Sequence, residues 1–498
     1  MFDNQNFEKL VQHGNLTGEV VSANGFIVEV KGLYGVRLGA QVLFSNGDRG
    51  LVREAHGDRV TLFDLDSEEI EPGALVVLEQ NLLQVPVGEG LIGRVVTPLG
   101  EPIDDKGSIT FASTSGIFNP APGIMARSTL KDQLATGVAF VDMMFPVVLG
   151  QRIAVLGDSK SGKSTFLTQL TQNQKGTSRI VIYVLIGKRK VEINNLINRL
   201  KDSGAIAYSI VVVANIFDSL TQSYIAPYAA CAMGEYLWHN GYDVICIYDD
   251  LSSHAEAYRE LSLLQEVDPG RDSYPGDMFY AHSSLLERAG KLKATGKTLT
   301  ALPVIMTPND DITAYLPTSI MSITDGQIIF DLKSFRQGIR PGVNAGLSVS
   351  RVGGQAQTVR QKRLSGNLFK KLAQFHSAEE FSHFGSSLSS EANVDLQLGR
   401  HIYEALKQTP EELFTLTEQQ LVLETVIADG GKEPLDIPEL KKSAISVGAE
   451  VKDEADFDRL VPELLKKHMK PIEAPILPPK VPESNKAGSN QGKEHAKS

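Results

Sequence analysis

Cysteine is nearly absent: Cys231 and Cys246 are the only two in 498 residues. Both sit in apolar surroundings, which excludes a disulfide framework or a cysteine metal site and predicts buried free thiols in a reducing compartment. Long hydrophobic runs are missing too. A membrane-spanning helix needs about 18 or more apolar residues, and the best stretch, 135–150, is broken by Asp142 and Pro146. The opening residues Met1, Phe2, Asp3, Asn4 and Gln5 show no basic region ahead of an apolar run, so no secretory signal is expected. Nor is there a basic excess. The formal net charge of -11 argues against a general nucleic-acid binder. What is present is an ordinary soluble composition, 42% hydrophobic and 22% charged, on a chain too long for one hydrophobic core.

The most informative stretch is 157–164: Gly157, Asp158, Ser159, Lys160, Ser161, Gly162, Lys163 and Ser164. It fits the phosphate-loop pattern G-x-x-x-x-G-K-[ST]. Ahead of it, Ile153, Ala154, Val155 and Leu156 read as a buried parallel strand, and 165–170 has the pattern of a helix opening. The glycines let backbone N–H groups turn toward a phosphate, and the helix N-terminus adds the positive end of its dipole. Lys163 is expected at the β/γ-phosphates and the Ser164 hydroxyl on Mg²⁺. The chain therefore reads as a binder of a nucleotide triphosphate or diphosphate.

Around this loop the text divides into four parts. From 17 to 78, short alternating runs punctuated by Gly and Asp predict a small β-barrel, assigned to residues 1–80. It lacks the interleaved aromatic and basic residues of an oligonucleotide-binding barrel. From 81 to 358, apolar runs at 180–186, 209–213, 244–248 and 299–305 alternate with helical segments. Ile193, Leu196, Ile197 and Leu200 mark one such helix. That alternation predicts a doubly wound α/β sheet with ligands at the strand carboxyl ends. From 359 to 468 the leucines fall at helical spacing and predict an α-helical domain. Residues 469–498 are Pro-rich and then polar, cannot bury a core, and are expected to be disordered.

The apolar strand 244–248 ends in Asp249, the form of a second nucleotide motif whose carboxylate helps hold Mg²⁺. Asp250 beside it reads as a helix cap or a surface residue. The runs at 248–252, 257–264 and 269–277, and those at 322–327, 338–341 and 346–353, resemble the α subunit of F-type ATP synthases. The resemblance spans about 17 to 426. It implies a barrel, a phosphate-loop domain whose nucleotide is ATP or ADP, and a helical domain. It also implies alternation with β subunits in an α3β3 ring around a central γ subunit. A peripheral stalk and a membrane sector that moves H⁺ or Na⁺ complete that assembly, at the cytoplasmic side of the membrane.

The resemblance also separates catalytic β from non-catalytic α subunits. A catalytic site needs a carboxylate past the strand that follows the loop, placed to align the attacking water. In β subunits it is the Glu of a Gly-Glu-Arg run; here the matching run is Gly187, Lys188, Arg189 and Lys190. Even α subunits usually carry Gln there, so Lys188 is a departure within its own type. Arg351 matches the arginine finger that α lends to a neighbouring β site, with Ser348 in the same interface segment. Arg340, Pro341 and Gln408 match the adenine pocket, although a second Gln expected just after Gln408 is replaced by Pro410. Gln151 reads as structural. The short segment ahead of the barrel, where the family docks its δ subunit, and the added tail point to a variant F-type enzyme such as an ion-pumping branch without δ. Two alternatives stay open at this point. A β-type subunit or type III export ATPase would want Glu at position 188. A Rho-type hexameric RNA helicase would want a basic, aromatic-lined barrel.

Overall fold

The computed structural model describes residues 4–66, 70–383 and 389–469. Six strands, β1 (Thr17–Asn24), β2 (Ile27–Gly32), β3 (Gln41–Phe44), β4 (Arg49–His56), β5 (Arg59–Asp64) and β6 (Leu75–Gln80), close into a barrel in the order β1-β2-β5-β4-β3-β6. Alternation fills it: Val28, Val30, Val42, Val52, Val60 and Leu62 point inward as one core. The segment ahead of the barrel, within the residues 1–80 assigned to it, contains a helix, Asn4–Gln12. It lays Phe7 and Leu10 against Leu43 and Val77.

Eight further strands form the continuous path of a nine-stranded central sheet: β7 (Val95–Val96), β8 (Ala154–Gly157), β9 (Arg179–Lys188), β10 (Ser209–Asn215), β11 (Asp243–Asp249), β12 (Thr298–Met306), β13 (Gly326–Phe330) and β14 (Val349–Ser350); off that path Gly290–Lys291 pairs antiparallel with β12. Their order is β14-β13-β8-β12-β11-β9-β10-β7, all parallel except β14, which runs antiparallel to β13. Both faces are covered. Leu156, Ile182 and Cys246 pack into one core, while their chain neighbours Val155, Val181 and Ile245 pack into the other. That double burial is why these runs read as continuously apolar. Cys231 and Cys246 are buried free thiols, and burial pushes the Cys231 thiol up to about 12.

The barrel is tied to this domain by polar contacts. Ser219 donates to the Asp64 carbonyl (2.9 Å) and Gln222 to the Leu65 carbonyl (3.0 Å). Deeper in, Arg288 grips Glu235 through two nitrogens (2.7 and 2.6 Å) and the Ile117 carbonyl through a third. Five helices, Val359–His383, Ser390–Leu406, Leu416–Asp429, Ile437–Gly448 and Glu454–His468, form the last domain. Arg360 joins three of them by pairing with Glu424 and Asp458 (each 2.8 Å). The expected disordered tail falls, from residue 470 on, outside the described residues; Met469 still bridges to Leu435. No described helix is long and apolar enough to cross a membrane.

Candidate nucleotide site and an interface arginine

The loop after β8 emerges at the carboxyl ends of the central strands, where Gly157 pairs with Met306 on one side and Phe330 on the other. Doubly wound sheets hold ligands at this edge. Close approach accounts for Gly157: a Cβ there would stand 2.5 Å from the Phe330 carbonyl oxygen and 2.7 Å from Ser161 Oγ. Asp158 pins the loop, its carboxylate accepting the N–H groups of Ser159 and Asn309. Ser159 and Lys160 are exposed, Lys160 with φ +62°. Ser161 is buried, and its hydroxyl has no hydrogen-bond partner among the described residues. Gly162 is the N-cap of the helix Lys163–Gln172 and offers no capping side chain. The first N–H groups of that helix are therefore left for an anion.

Lys163 lies back along the loop, donating to the carbonyls of Gly157 (2.6 Å) and Asp158 (2.7 Å). Burial pulls its ammonium down to about 8, against the opposing pull of Asp249 and Asp250. Ser164 is exposed and, with Tyr183, Lys188, Glu192, Arg199 and Asp249, lines a cavity of about 180 Å³.

That cavity contains an arrangement the sequence did not announce. β9 and β11 are neighbours, with Leu185 opposite Asp249. The pairing of β9 with β10 slips between Ile186 and Lys188, and Gly187 takes φ +63° there. Such a bulge re-aims the side chain that follows. Lys188 Nζ ends 2.8 Å from Asp249 Oδ1 and 2.7 Å from Asp250 Oδ2. Tyr183 donates its hydroxyl to the other oxygen of Asp249 (3.1 Å). Asp250 Oδ1 also caps the helix Leu251–Leu264 through Ser253 N–H (2.7 Å), so the cap expected from the sequence carries a buried charge pair as well. Burial works against the Lys188 ammonium, but the two carboxylates outweigh it and hold its pKa above the ordinary lysine value.

Asp249, expected as the metal-side carboxylate, is thus the anionic partner of Lys188. Both of its oxygens already have donors. A divalent ion about 4 Å from the Lys188 ammonium meets roughly 8 kcal/mol of repulsion at an effective dielectric of about 20, which cancels the attraction of one carboxylate at the same distance. With its oxygens taken by Lys188 and Tyr183, Asp249 does not fit Mg²⁺. Glu192, the nearest alternative carboxylate in sequence, is engaged by the Arg189 N–H (3.1 Å) as a helix cap.

Of the expected adenine contacts, Arg340 is exposed, with its guanidinium 5.0 Å over the Phe335 ring, and it joins Pro341 through a cis peptide. Its carbonyl accepts the Gln408 N–H (2.9 Å), so the structure brings the two segments together. The Gln408 side chain has other work than base recognition. Its oxygen accepts Ala139 N–H (2.7 Å), and its amide donates to the carbonyls of Gly137 (2.9 Å) and Glu412 (3.0 Å). Gln151 is structural, accepting Val148 N–H.

Arg351 follows β14. It is exposed, its longest reach is a 3.4 Å bond to the Thr324 carbonyl, and no carboxylate pairs with it among the described residues. Ser348 is buried and accepts the Ile329 N–H (2.9 Å); it braces this segment from inside and presents nothing at the surface. Since β14 is antiparallel and Ser350 pairs with Gly326 at the start of β13, Arg351 leaves the sheet at its amino edge. The phosphate loop is level with Phe330, at the carboxyl edge. Four residues of strand separate them, about 13 Å.

Barrel, doubly wound sheet, phosphate loop and helical domain together define a phosphate-loop nucleotide-binding protein. Residues 137–350 match the nucleotide-binding domain of the ATP synthase alpha/beta family, and residues 357–458 match the C-terminal domain of the ATP synthase alpha/beta chain. The chain belongs to the ATP synthase alpha/beta family. It is 42% identical over 425 residues to the ATP synthase subunit alpha of Clostridium botulinum strain Hall, covering 85% of this chain and 84% of the relative. Over 422 residues it is 42% identical to that of Clostridium kluyveri, covering 84% of each. Over 433 residues it is 42% identical to that of Anaplasma phagocytophilum, covering 84% of this chain and 85% of the relative.

Proposed function

We propose that this chain is the non-catalytic, nucleotide-holding α-type subunit in the head of a rotary ATP synthase or ATPase. It alternates with β-type subunits around a γ shaft and so takes part in coupling ATP chemistry to H⁺ or Na⁺ transport at the cytoplasmic face of a membrane. The observation that carries the reading is Lys188. Where a catalytic subunit needs a free carboxylate to align water, this chain has an ammonium locked between Asp249 and Asp250.

Arg351 supports the second half of the reading. An exposed guanidinium with no acidic partner among the described residues, on the opposite sheet edge from its own loop, supports a role at a neighbour's nucleotide. A planar fork bridging phosphate oxygens suits that task, and fingers of this kind contribute about 10³ to 10⁵ in rate. The test is ATP turnover by the chain alone and then with its β partner, with and without Arg351→Ala. The isolated chain is expected to be inert, and the substituted complex to lose at least about a thousandfold. Substantial turnover by the isolated chain would sink the non-catalytic assignment; normal turnover by the substituted complex would sink the finger.

A further inference from the structure

We propose that the nucleotide site of this chain binds ADP or ATP without a divalent metal, Lys188 acting as a built-in cation between Asp249, Asp250 and the phosphates. The proposal rests on the reading above that the loop holds a nucleotide, and it concerns how the charge of that nucleotide is met. In a phosphate-loop site a carboxylate at the end of the second-motif strand is tolerable beside an anionic ligand because a metal ion stands between them. Here two carboxylates, Asp249 and Asp250, are buried at that strand end, and a dication would be the usual remedy. Lys188 supplies the compensation covalently. Its ammonium is within 2.8 Å of one and 2.7 Å of the other, and it faces the same cavity as Ser164.

Charge and geometry agree. Lys163 and Lys188 balance Asp249 and Asp250, and Arg199 balances Glu192 at the cavity wall, so these groups sum to zero before ligand enters, and the helix N-terminus and loop N–H groups remain for the phosphates. Tyr183 fixes the Asp249 oxygen that Lys188 does not reach. The ammonium is held by a strand bulge at Gly187 rather than by a mobile loop. A site built this way has neither a metal to polarise the γ-phosphate nor a carboxylate to align water, which suits retention of the nucleotide.

The test measures ADP binding to the full chain by calorimetry, with excess Mg²⁺ and with EDTA, for the parent and for Lys188→Gln. The parent is expected to bind with affinities that differ by less than about threefold between the two conditions. Lys188→Gln, which exposes Asp249 to metal, is expected to bind at least about tenfold tighter with Mg²⁺ than with EDTA. Mn²⁺ resonance gives a second readout: an ADP-dependent bound Mn²⁺ signal should be absent from the parent and present in the variant. A parent that needs Mg²⁺ by tenfold or more, or that shows bound Mn²⁺ with ADP, overturns the proposal while leaving the nucleotide-holding reading intact. A parent that binds ADP in neither condition overturns both. If Lys188→Gln does not fold, the parent comparison alone decides.

Discussion

Replacing Lys188 with Met removes the ammonium in direct contact with two buried carboxylates and keeps the length of the stem. The relative exposures of the three side chains, 18% for Lys188, 9% for Asp249 and 4% for Asp250, decide which energy scale applies. An exposed ion pair contributes only about 0–1 kcal/mol, whereas removing one member of a buried pair costs about 3–5 kcal/mol because a charge is left uncompensated. Here two charges are left, so the upper part of that range is expected. Lys188→Gln should cost less, since its amide can still donate a hydrogen bond to one carboxylate. For a domain of this size, 1 kcal/mol corresponds to about 2–4 °C, which puts the midpoint drop of Lys188→Met at roughly 8–20 °C. A chain of several domains does not unfold in two states, so the loss must also be localised. Hydrogen exchange should accelerate at the end of β11 and the first turn of the helix Leu251–Leu264, which Asp250 caps. A midpoint within about 2 °C of the parent, with unchanged exchange at that turn, would refute the reasoning: the carboxylates would then not depend on Lys188.

Three further outcomes follow from the site. Lys163 is held at about 8 in the free protein, and phosphate contact favours its charged form. Binding therefore takes up a proton above pH 8; ADP affinity should be flat below that and fall by up to about tenfold per pH unit above it, checked by calorimetry in two buffers of different ionisation enthalpy. Gly157→Ala places a Cβ 2.5 Å from the Phe330 carbonyl, and should weaken ADP binding at least about tenfold while costing about 1–3 kcal/mol, read by the same titration and a thermal scan. Gln408→Ala leaves Ala139 N–H without its partner and takes one of two donors from each of the Gly137 and Glu412 carbonyls. It should destabilise by about 2–3 kcal/mol with ADP affinity within about threefold of the parent. A large affinity loss at unchanged stability would return Gln408 to the base pocket.

The parallel strands were legible because burial on both faces leaves no polar alternation to confuse them. The runs at 180–186, 209–213, 244–248 and 299–305 all fall within strands of the sheet. The barrel was legible for the converse reason, one face in and one face out. The two-residue strands β7 and β14 were not, since two residues have no period to read, and the helix Asn4–Gln12 is anchored by the buried Phe7 and the partly buried Leu10. At the site, the loop is a local pattern whose chemistry lies in consecutive residues. Lys188 is the opposite case. Its substitution for a carboxylate is visible as one letter, but its partners lie 61 and 62 positions away and are reached only through the neighbouring of β9 and β11 and the slip at Gly187. Sequence could say that a base was missing. Only the strand order shows that the residue in its place pairs with Asp249 and Asp250; on the proposal of a metal-free site, losing the base and losing the metal are then a single change made by one ammonium. On that proposal a nucleotide in this site is shielded from hydrolysis twice, and a variant made to gain turnover must lose Lys188 before an added carboxylate can have an effect.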